Sequence, residues 1–426
     1  MNNDARTHGL WEASAPPAIP TTTLYGDCKA DVVIIGAGYT GCSAALHLAE
    51  AGKQAIVLEA TEIGFGGAGR NVGLVNAGLW VMPSDIPGLL GETYGERILE
   101  QLGQAPRMVY GIVDKYGIEC QATPNSTLHV AVGAKGLDEI TSRAREWKMR
   151  GADVELLDAE QTRKAVGSAA YTGALRDRRA GTIQPLAYVR GLARAASEQG
   201  ARFFTRSAAT GYEDLGHAWK VTTATGSVTA PHVIVASDAY AQNVWTQLRS
   251  EQVYLPYFNL ATRPLSDTMR QMILPNLEGV WDTRSVLSSY RFDTSGRLVF
   301  GSVGALRGPG AMIHRDWSKR EMRRLFPQLA GVGFEHEWYG WIGMTDDAVP
   351  RFHRLARNIH SISGYNGRGI APGTTFGRDL ARLILGDMAA EDFSLPLSIP
   401  GRPSLRLAKE AIYEYGALAT HLVGAR

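Results

Sequence analysis

Asp31-Val-Val-Ile-Ile-Gly-Ala-Gly-Tyr-Thr-Gly41 is the stretch that decides the fold. Its apolar run stops at a glycine, the pattern of a strand buried on both faces of a parallel sheet. Gly36, Gly38 and Gly41 follow in the G-x-G-x-x-G spacing. From Tyr39 to Ala51 the chain reads as a helix, with Gly52 placed to end it. Gln54 to Glu59 reads as a second strand, completing a βαβ crossover of about 30 residues. That context makes a weak motif specific. Gly36 permits a tight turn, Gly38 lets the backbone approach a pyrophosphate with no Cβ in the way, and Gly41 lets helix and strand pack closely. Tyr39 and Thr40 open the helix, where unpaired N–H groups and a partial positive charge favour an anion. Glu59, with Ala60 beside it, is placed to accept ribose hydroxyls and to repel a 2′-phosphate, which disfavours NADP.

A second glycine-rich segment, Ile63-Gly-Phe-Gly-Gly-Ala-Gly-Arg-Asn-Val-Gly73, holds five glycines in eleven residues. From Gly67, Ala68 and Gly69 through Arg70, Asn71, Val72, Gly73 and Leu74 it can wrap an extended cofactor, with Arg70 in reach of a phosphate or the substrate. An NAD enzyme needs no second cradle, so FAD is the expected ligand; a flexible surface loop is the alternative. A third segment, Gly364 to Thr375, lies between a predicted strand, Ile359 to Ser363, and a helix running from Gly373 through Leu385. Pro372 sits near that helix start. A helix aimed N-terminus first at a flavin stabilises the anion formed on reduction. Gly367, Arg368, Gly369, Ile370 and Ala371 are the candidates there.

Composition narrows the class. The chain has 426 residues, 44 basic and 42 acidic, for a net charge of +2. That balance argues against nucleic acid or an anionic membrane as partner. The Arg176 to Arg179 run reads as a solvated turn. Three cysteines, Cys28, Cys42 and Cys120, fit a reducing compartment and no metal or disulfide framework. No apolar run reaches the roughly 20 residues of a membrane span. No signal peptide is read at the N-terminus, and the cytoplasm is the expected location.

The three glycine segments together resemble the D-amino-acid-oxidase and sarcosine-oxidase-like family of FAD enzymes, and within it the gamma-glutamylputrescine oxidases. Tyr171 to Leu175, Gly181 to Leu186 and Val233 to Tyr240 add to the likeness. The resemblance implies an α/β fold: a Rossmann-like FAD domain (30–84, 173–245 and 342–400) interleaved with a β-rich substrate domain (85–172 and 246–341). A proline-rich N-terminal arm (1–29), with Trp11 as anchor, and a C-terminal amphipathic helix (401–426) flank them. That helix either packs on the body or makes a subunit contact. Ala209 joins the expected cofactor contacts. The implied chemistry is hydride transfer from an amine Cα–H to flavin N5, giving an imine that water hydrolyses, with O2 as acceptor and H2O2 as product.

Departures from the family pattern matter. Gly340 stands where relatives attach FAD through a cysteine, so non-covalent FAD is expected. Ala371 stands where they use a lysine to assist oxygen. Val72 replaces a second glycine after Asn71. Arg368 replaces a histidine; it can assist O2 reduction, bind a substrate carboxylate, or be a plain loop arginine. Tyr257, Phe258 and Trp338 to Trp341 lie on strands the family places near the flavin. Strand alternation sends Trp338 and Gly340 one way and Tyr339 and Trp341 the other. Tyr339 and Trp341 are favoured as walls, with plain core the alternative for each. Arg291 and the Met344 to Asp347 loop are further candidates for a substrate's charged ends. The competing readings are a dehydrogenase passing electrons to a quinone or an electron-transfer protein, and a non-catalytic FAD-binding subunit.

Overall fold

The computed structural model describes residues 8–241 and 244–424. The crossover forms where the sequence places it: strand Val32–Ile35, helix Tyr39–Glu50, strand Ala55–Leu58. Gly52, at φ +76°, follows the helix end. Val32–Ile35 pairs parallel with Ala55–Leu58 on one side and with His232–Val235 on the other. It is thereby an interior strand of a seven-stranded sheet that also holds Arg202–Phe204, Ile359–Ser363, Arg351–Ala356 and Leu397–Ser398. Helices Pro185–Glu198 and Ile370–Leu385 pack on Tyr39–Glu50.

A second, eight-stranded sheet runs in the order Phe334–Met344, Val253–Thr262, Leu298–Val303, Ser288–Phe292, Gly279–Asp282, Thr127–Ala131, Gly173–Asp177, Val154–Leu157. It is antiparallel except where Gly279–Asp282 meets Thr127–Ala131. The chain therefore visits each sheet in several separate segments. Gly173–Asp177 and the last residues of Phe334–Met344 pair in this sheet. The segments drawn from sequence as 173–245 and 342–400 thus each begin with a piece of the other sheet.

Three elements differ from the sequence expectation. The N-terminal arm contains a short helix, Leu10–Ser14, keyed into the body. Trp11 is fully buried, donates from Nε1 to the Asn71 carbonyl at 2.8 Å and packs on Trp338. The late helix begins at Ile370, not Gly373. Its glycines serve helix packing: a Cβ on Gly377 would lie 2.5 Å from the Thr40 carbonyl oxygen. Helix Gly308–Leu325 interrupts the strand-rich region, its many charges masking a buried face of His314, Trp317, Ser318, Glu321, Met322 and Leu325. The Arg176 to Arg179 run is ion-paired rather than free: Arg176 bonds Glu278, and Arg179 bonds Asp177 and lies over Trp147.

The C-terminal helix Arg406–Val423 turns its charges inward, Glu410 to Arg249, Glu414 to Arg307 and Lys409 to Asp346. Leu407, Ile412, Tyr415 and Val423 are exposed. Deeper in, His421 meets His314, Nδ1 to Nδ1 at 2.8 Å, and stacks on Trp317. No helix among the described residues is long and apolar enough to cross a membrane.

Candidate functional site

Between the two sheets runs one cavity of about 1940 Å³. At one end its wall is backbone. Gly36, at φ +103°, makes the turn after the first strand, and the Gly36 carbonyl sits where a Cβ on Gly41 would be, 2.0 Å away. Gly38 caps the helix Tyr39–Glu50 with no side-chain hydrogen bond to its first N–H groups. A Cβ on Gly38 would meet only Ala68, at 3.8 Å. The space above Gly38 and the unpaired helix start therefore both open on the cavity, as an anionic diphosphate requires.

Glu59 lines the same end. It accepts the Ala37 N–H and the Thr61 N–H, each at 2.9 Å. Burial raises its carboxyl above the ordinary value, opposed by those backbone donors. The second glycine segment is tied down by side chains. The Tyr39 hydroxyl donates to the Ala68 carbonyl at 2.6 Å, and Asn71 Nδ2 donates to the Gly67 and Ala68 carbonyls at 2.9 and 3.0 Å. Arg70 donates through Nε to the Phe65 carbonyl at 2.7 Å and through Nη1 to the Tyr339 carbonyl at 3.2 Å. Its own carbonyl accepts from Asn259 and Trp338. Arg70 lines the cavity but acts first as a bracket between the loop and the strand Phe334–Met344.

Of the residues singled out from sequence, Gly36, Gly38, Tyr39, Thr40, Glu59, Ala60, Gly67, Ala68, Arg70, Asn71, Val72, Leu74, Ala209, Tyr257, Trp341 and Gly367 to Ile370 line this cavity. Gly41, Gly69, Gly73, Ala371 and Tyr339 stand behind its wall. Gly69 and Gly73 face carbonyls that a Cβ would strike, at 2.3 Å from Gly64 and 2.1 Å from Ile183. Ala371, on the first turn of its helix, is in the main core cluster. Tyr339 points into the core of the second sheet beside Phe258 and Tyr290, so of the favoured aromatic pair only Trp341 reaches the cavity. Arg291 is buried away from it, bonded to the Phe292 and Ile183 carbonyls and set over Trp11. Asp346 pairs with Lys409 and Asp347 with Arg351.

The other end of the cavity is made of side chains. Tyr257 bonds Ser289 at 2.6 Å. Gly340 brings its backbone to the wall, where a Cβ would lie 3.2 Å from Arg70. The helix Ile370–Leu385 starts at this wall with no side-chain cap. Sequence reasoning missed Trp80, His129, Asp238, Tyr240, Trp281 and Asp282, which line the cavity from four separate places in the chain. Burial pushes the Asp238 and Asp282 carboxyls up to about 6. Burial drives His129 well below its usual value, with Arg143 and Arg368 adding to the shift. Tyr365 and Asn366 lay in the third glycine segment and were within reach of the pattern. Trp80, His129 and Trp281 sit in no local motif.

The uncapped helix at Gly38, the open space above it, the Glu59 carboxylate and the second uncapped helix at Gly369 fit an extended dinucleotide with a ring system at the far end. The comparisons agree. The family model described as FAD dependent oxidoreductase matches residues 31–383. The chain is 35% identical over 406 residues to a gamma-glutamylputrescine oxidoreductase from Escherichia coli, covering 93% of each chain. Among solved structures, a glycine oxidase from Geobacillus kaustophilus superimposes with a TM-score of 0.70 at 18% identity, covering 85% of this chain and 96% of that one. An L-proline dehydrogenase from P. horikoshii gives 0.70 at 17% identity, covering 92% and 97%.

Proposed function

This chain belongs to the FAD dependent oxidoreductase family, and from that premise we propose that it oxidises a small amine or amino acid at a carbon–nitrogen bond, with FAD held non-covalently and O2 as acceptor. One observation carries the reading: a single cavity joins the uncapped helix start at Gly38 and the Glu59 carboxylate to an aromatic wall at which a second uncapped helix begins.

Gly36, Gly38, Tyr39 and Thr40 would hold the diphosphate, Glu59 the ribose, and Gly67 to Leu74 the middle of the cofactor. FAD held there would supply a two-electron acceptor for oxidation of the amine to an imine, which water hydrolyses; the hydride and the proton lost from the amine would together reduce O2 to H2O2. The protein's part is orientation and the exclusion of water. Trp341 and Tyr257 offer apolar surface that favours the neutral amine over the ammonium. Asp282, on the same cavity wall with its carboxyl near 6, is a group able to take the ammonium's proton near neutral pH. Gly340 leaves no thiol for a covalent flavin link at that position.

Two assays test this. Acid precipitation releases all the FAD into the supernatant if the link is non-covalent; yellow pellet and colourless supernatant contradict that part. Peroxide formation under air with an amine supports the O2 reading. Dye reduction under nitrogen without peroxide under air replaces it with a dehydrogenase.

A further inference from the structure

The C-terminal helix Arg406–Val423 is built inside out. A surface helix ordinarily turns its charges to water and its apolar stripe to the core. Here the charges are held against the body: Glu410 pairs with Arg249 and Arg406, Glu414 with Arg307, and Lys409 with Asp346. Ala417 and His421 are the helix's buried residues. On the opposite face, at helical spacing, stand Ala408, Ile412, Tyr415, Gly416, Ala419 and Val423, all exposed and none charged. Ile412, Tyr415 and Val423 are 66, 67 and 65% exposed. With Leu405 and Leu422 alongside, this face offers on the order of 800 Å², one partner's share of a standard interface. An apolar patch of that size is uncommon on a free monomer.

Gly416 lies mid-helix, where glycine is the poorest helix former but for proline. A Cβ on it would meet nothing within 4 Å elsewhere among the described residues. The packing of its own chain therefore does not require a glycine, and the notch it leaves is exposed.

The stripe is complementary to itself when reversed. Two copies laid antiparallel about a twofold axis between residues 415 and 416 set Tyr415 on Gly416, Ile412 on Ala419 and Val423 on Ala408. A large side chain meets a small one at each of these levels, as a closely packed, isologous pair of helices requires. A second copy also meets no unpaired charge, because Arg406, Lys409, Glu410 and Glu414 are all held in ion pairs within their own chain. A lipid surface would call for free Lys or Arg beside the apolar face. Ile412, Gly416 and Thr420 line the cavity as well, so the seam runs along its rim.

We propose that this face is a dimer seam: two copies of the chain pair antiparallel through Arg406–Val423, with Tyr415 of each seated in the Gly416 notch of the other. The test is sedimentation velocity of the purified holoprotein at micromolar concentrations. Wild type should sediment as a dimer. Ala419→Glu places a carboxylate in the seam at an exposed position that suits a helix, and should sediment as a monomer with unchanged circular dichroism. Gly416→Ala separates a seam from an ordinary surface. On a free helix face it stabilises the chain and leaves association alone; with a Cβ in the notch, association should weaken by about tenfold.

A monomeric wild type overturns the proposal. So does a dimer that persists in Ala419→Glu, which would put the seam elsewhere, or an unchanged dissociation constant in Gly416→Ala, which decides the matter if the Glu variant does not fold. A monomer that co-sediments with phosphatidylglycerol vesicles would give the face to a lipid surface and overturn it equally. Turnover is not read in any arm, so the result stands apart from the proposed oxidation.

Discussion

At Gly36 to Thr40 the cavity wall is backbone, shaped by glycines that sit against other backbone atoms. At Trp80, Trp281 and Arg368 it is side chain, gathered from three distant segments and held by stacking. On the proposed reading, the first kind of wall holds what all dinucleotides share, a diphosphate and a ribose. On the same reading, the second faces the substrate. The contrast lies in what a Cβ would meet: at Gly41 it would strike the Gly36 carbonyl oxygen at 2.0 Å, whereas at Gly38 it would enter open cavity.

The largest effect expected is at the cradle. Gly38→Val places methyl groups in the space above the helix start, where a Cβ meets nothing nearer than Ala68 at 3.8 Å. The protein should fold, with unchanged far-ultraviolet circular dichroism, and carry essentially no FAD. Gly41→Val should instead fail to fold, since its Cβ would sit 2.0 Å from a carbonyl oxygen. Fully flavinated Gly38→Val protein would break the distinction between the two glycines. At the far wall Arg368→Met should keep a full complement of FAD and lose about tenfold or more in kcat/KM. Parallel loss of FAD and turnover would show that Arg368 belongs to the cradle.

These two regions also differ in how far they could be read in advance. The crossover, the place of Glu59 on the cavity wall and most of the loop at Gly67 to Leu74 were legible because a backbone site writes itself in glycine spacing and strand periodicity. Even there, Gly69 and Gly73, read as cofactor contacts, stand behind the cavity wall against the Gly64 and Ile183 carbonyls, since sequence does not say which carbonyl a missing Cβ makes room for. The far wall was legible only at Arg368, Tyr257 and Trp341. His129 on one strand and Trp281 on a neighbouring one become stacking partners through parallel strand pairing, a relation between residues 152 apart in the chain that no local pattern records. Tyr339 shares a face with Trp341 but lies farther under the core of the second sheet, because alternation says which residues share a face and not where along it the cavity ends.

Acid separates the regions as well. Burial lowers His314 to about 4 and His421 to about 3, from an ordinary value of 6.5. The unfolded chain therefore takes up protons first. The stability these imidazoles contribute is intact above about 6.5 and is lost as pH falls through that value toward about 4, on the order of 1–3 kcal/mol. Asp238 and Asp282, raised to about 6, act in the opposite direction. The pair is thus isolated by difference: the melting temperature of His421→Asn should fall less steeply than that of the wild type between pH 6.5 and 4. FAD content should be equal in both, because His421 joins the C-terminal helix to the second sheet and touches nothing in the cradle. Identical slopes would remove the histidine pair as the source. The smallest effect belongs to Tyr39→Phe. Loss of the 2.6 Å bond to the Ala68 carbonyl should weaken FAD by about fivefold, read as a dissociation constant by fluorescence, from roughly 1 kcal/mol per hydrogen bond.

The most direct trial is anaerobic: the visible flavin band of the purified protein is followed while amines with and without a carboxylate are added in turn. The account predicts that the band bleaches in one two-electron step with at least one amine of the series. A band that stays unchanged across the whole series would contradict it.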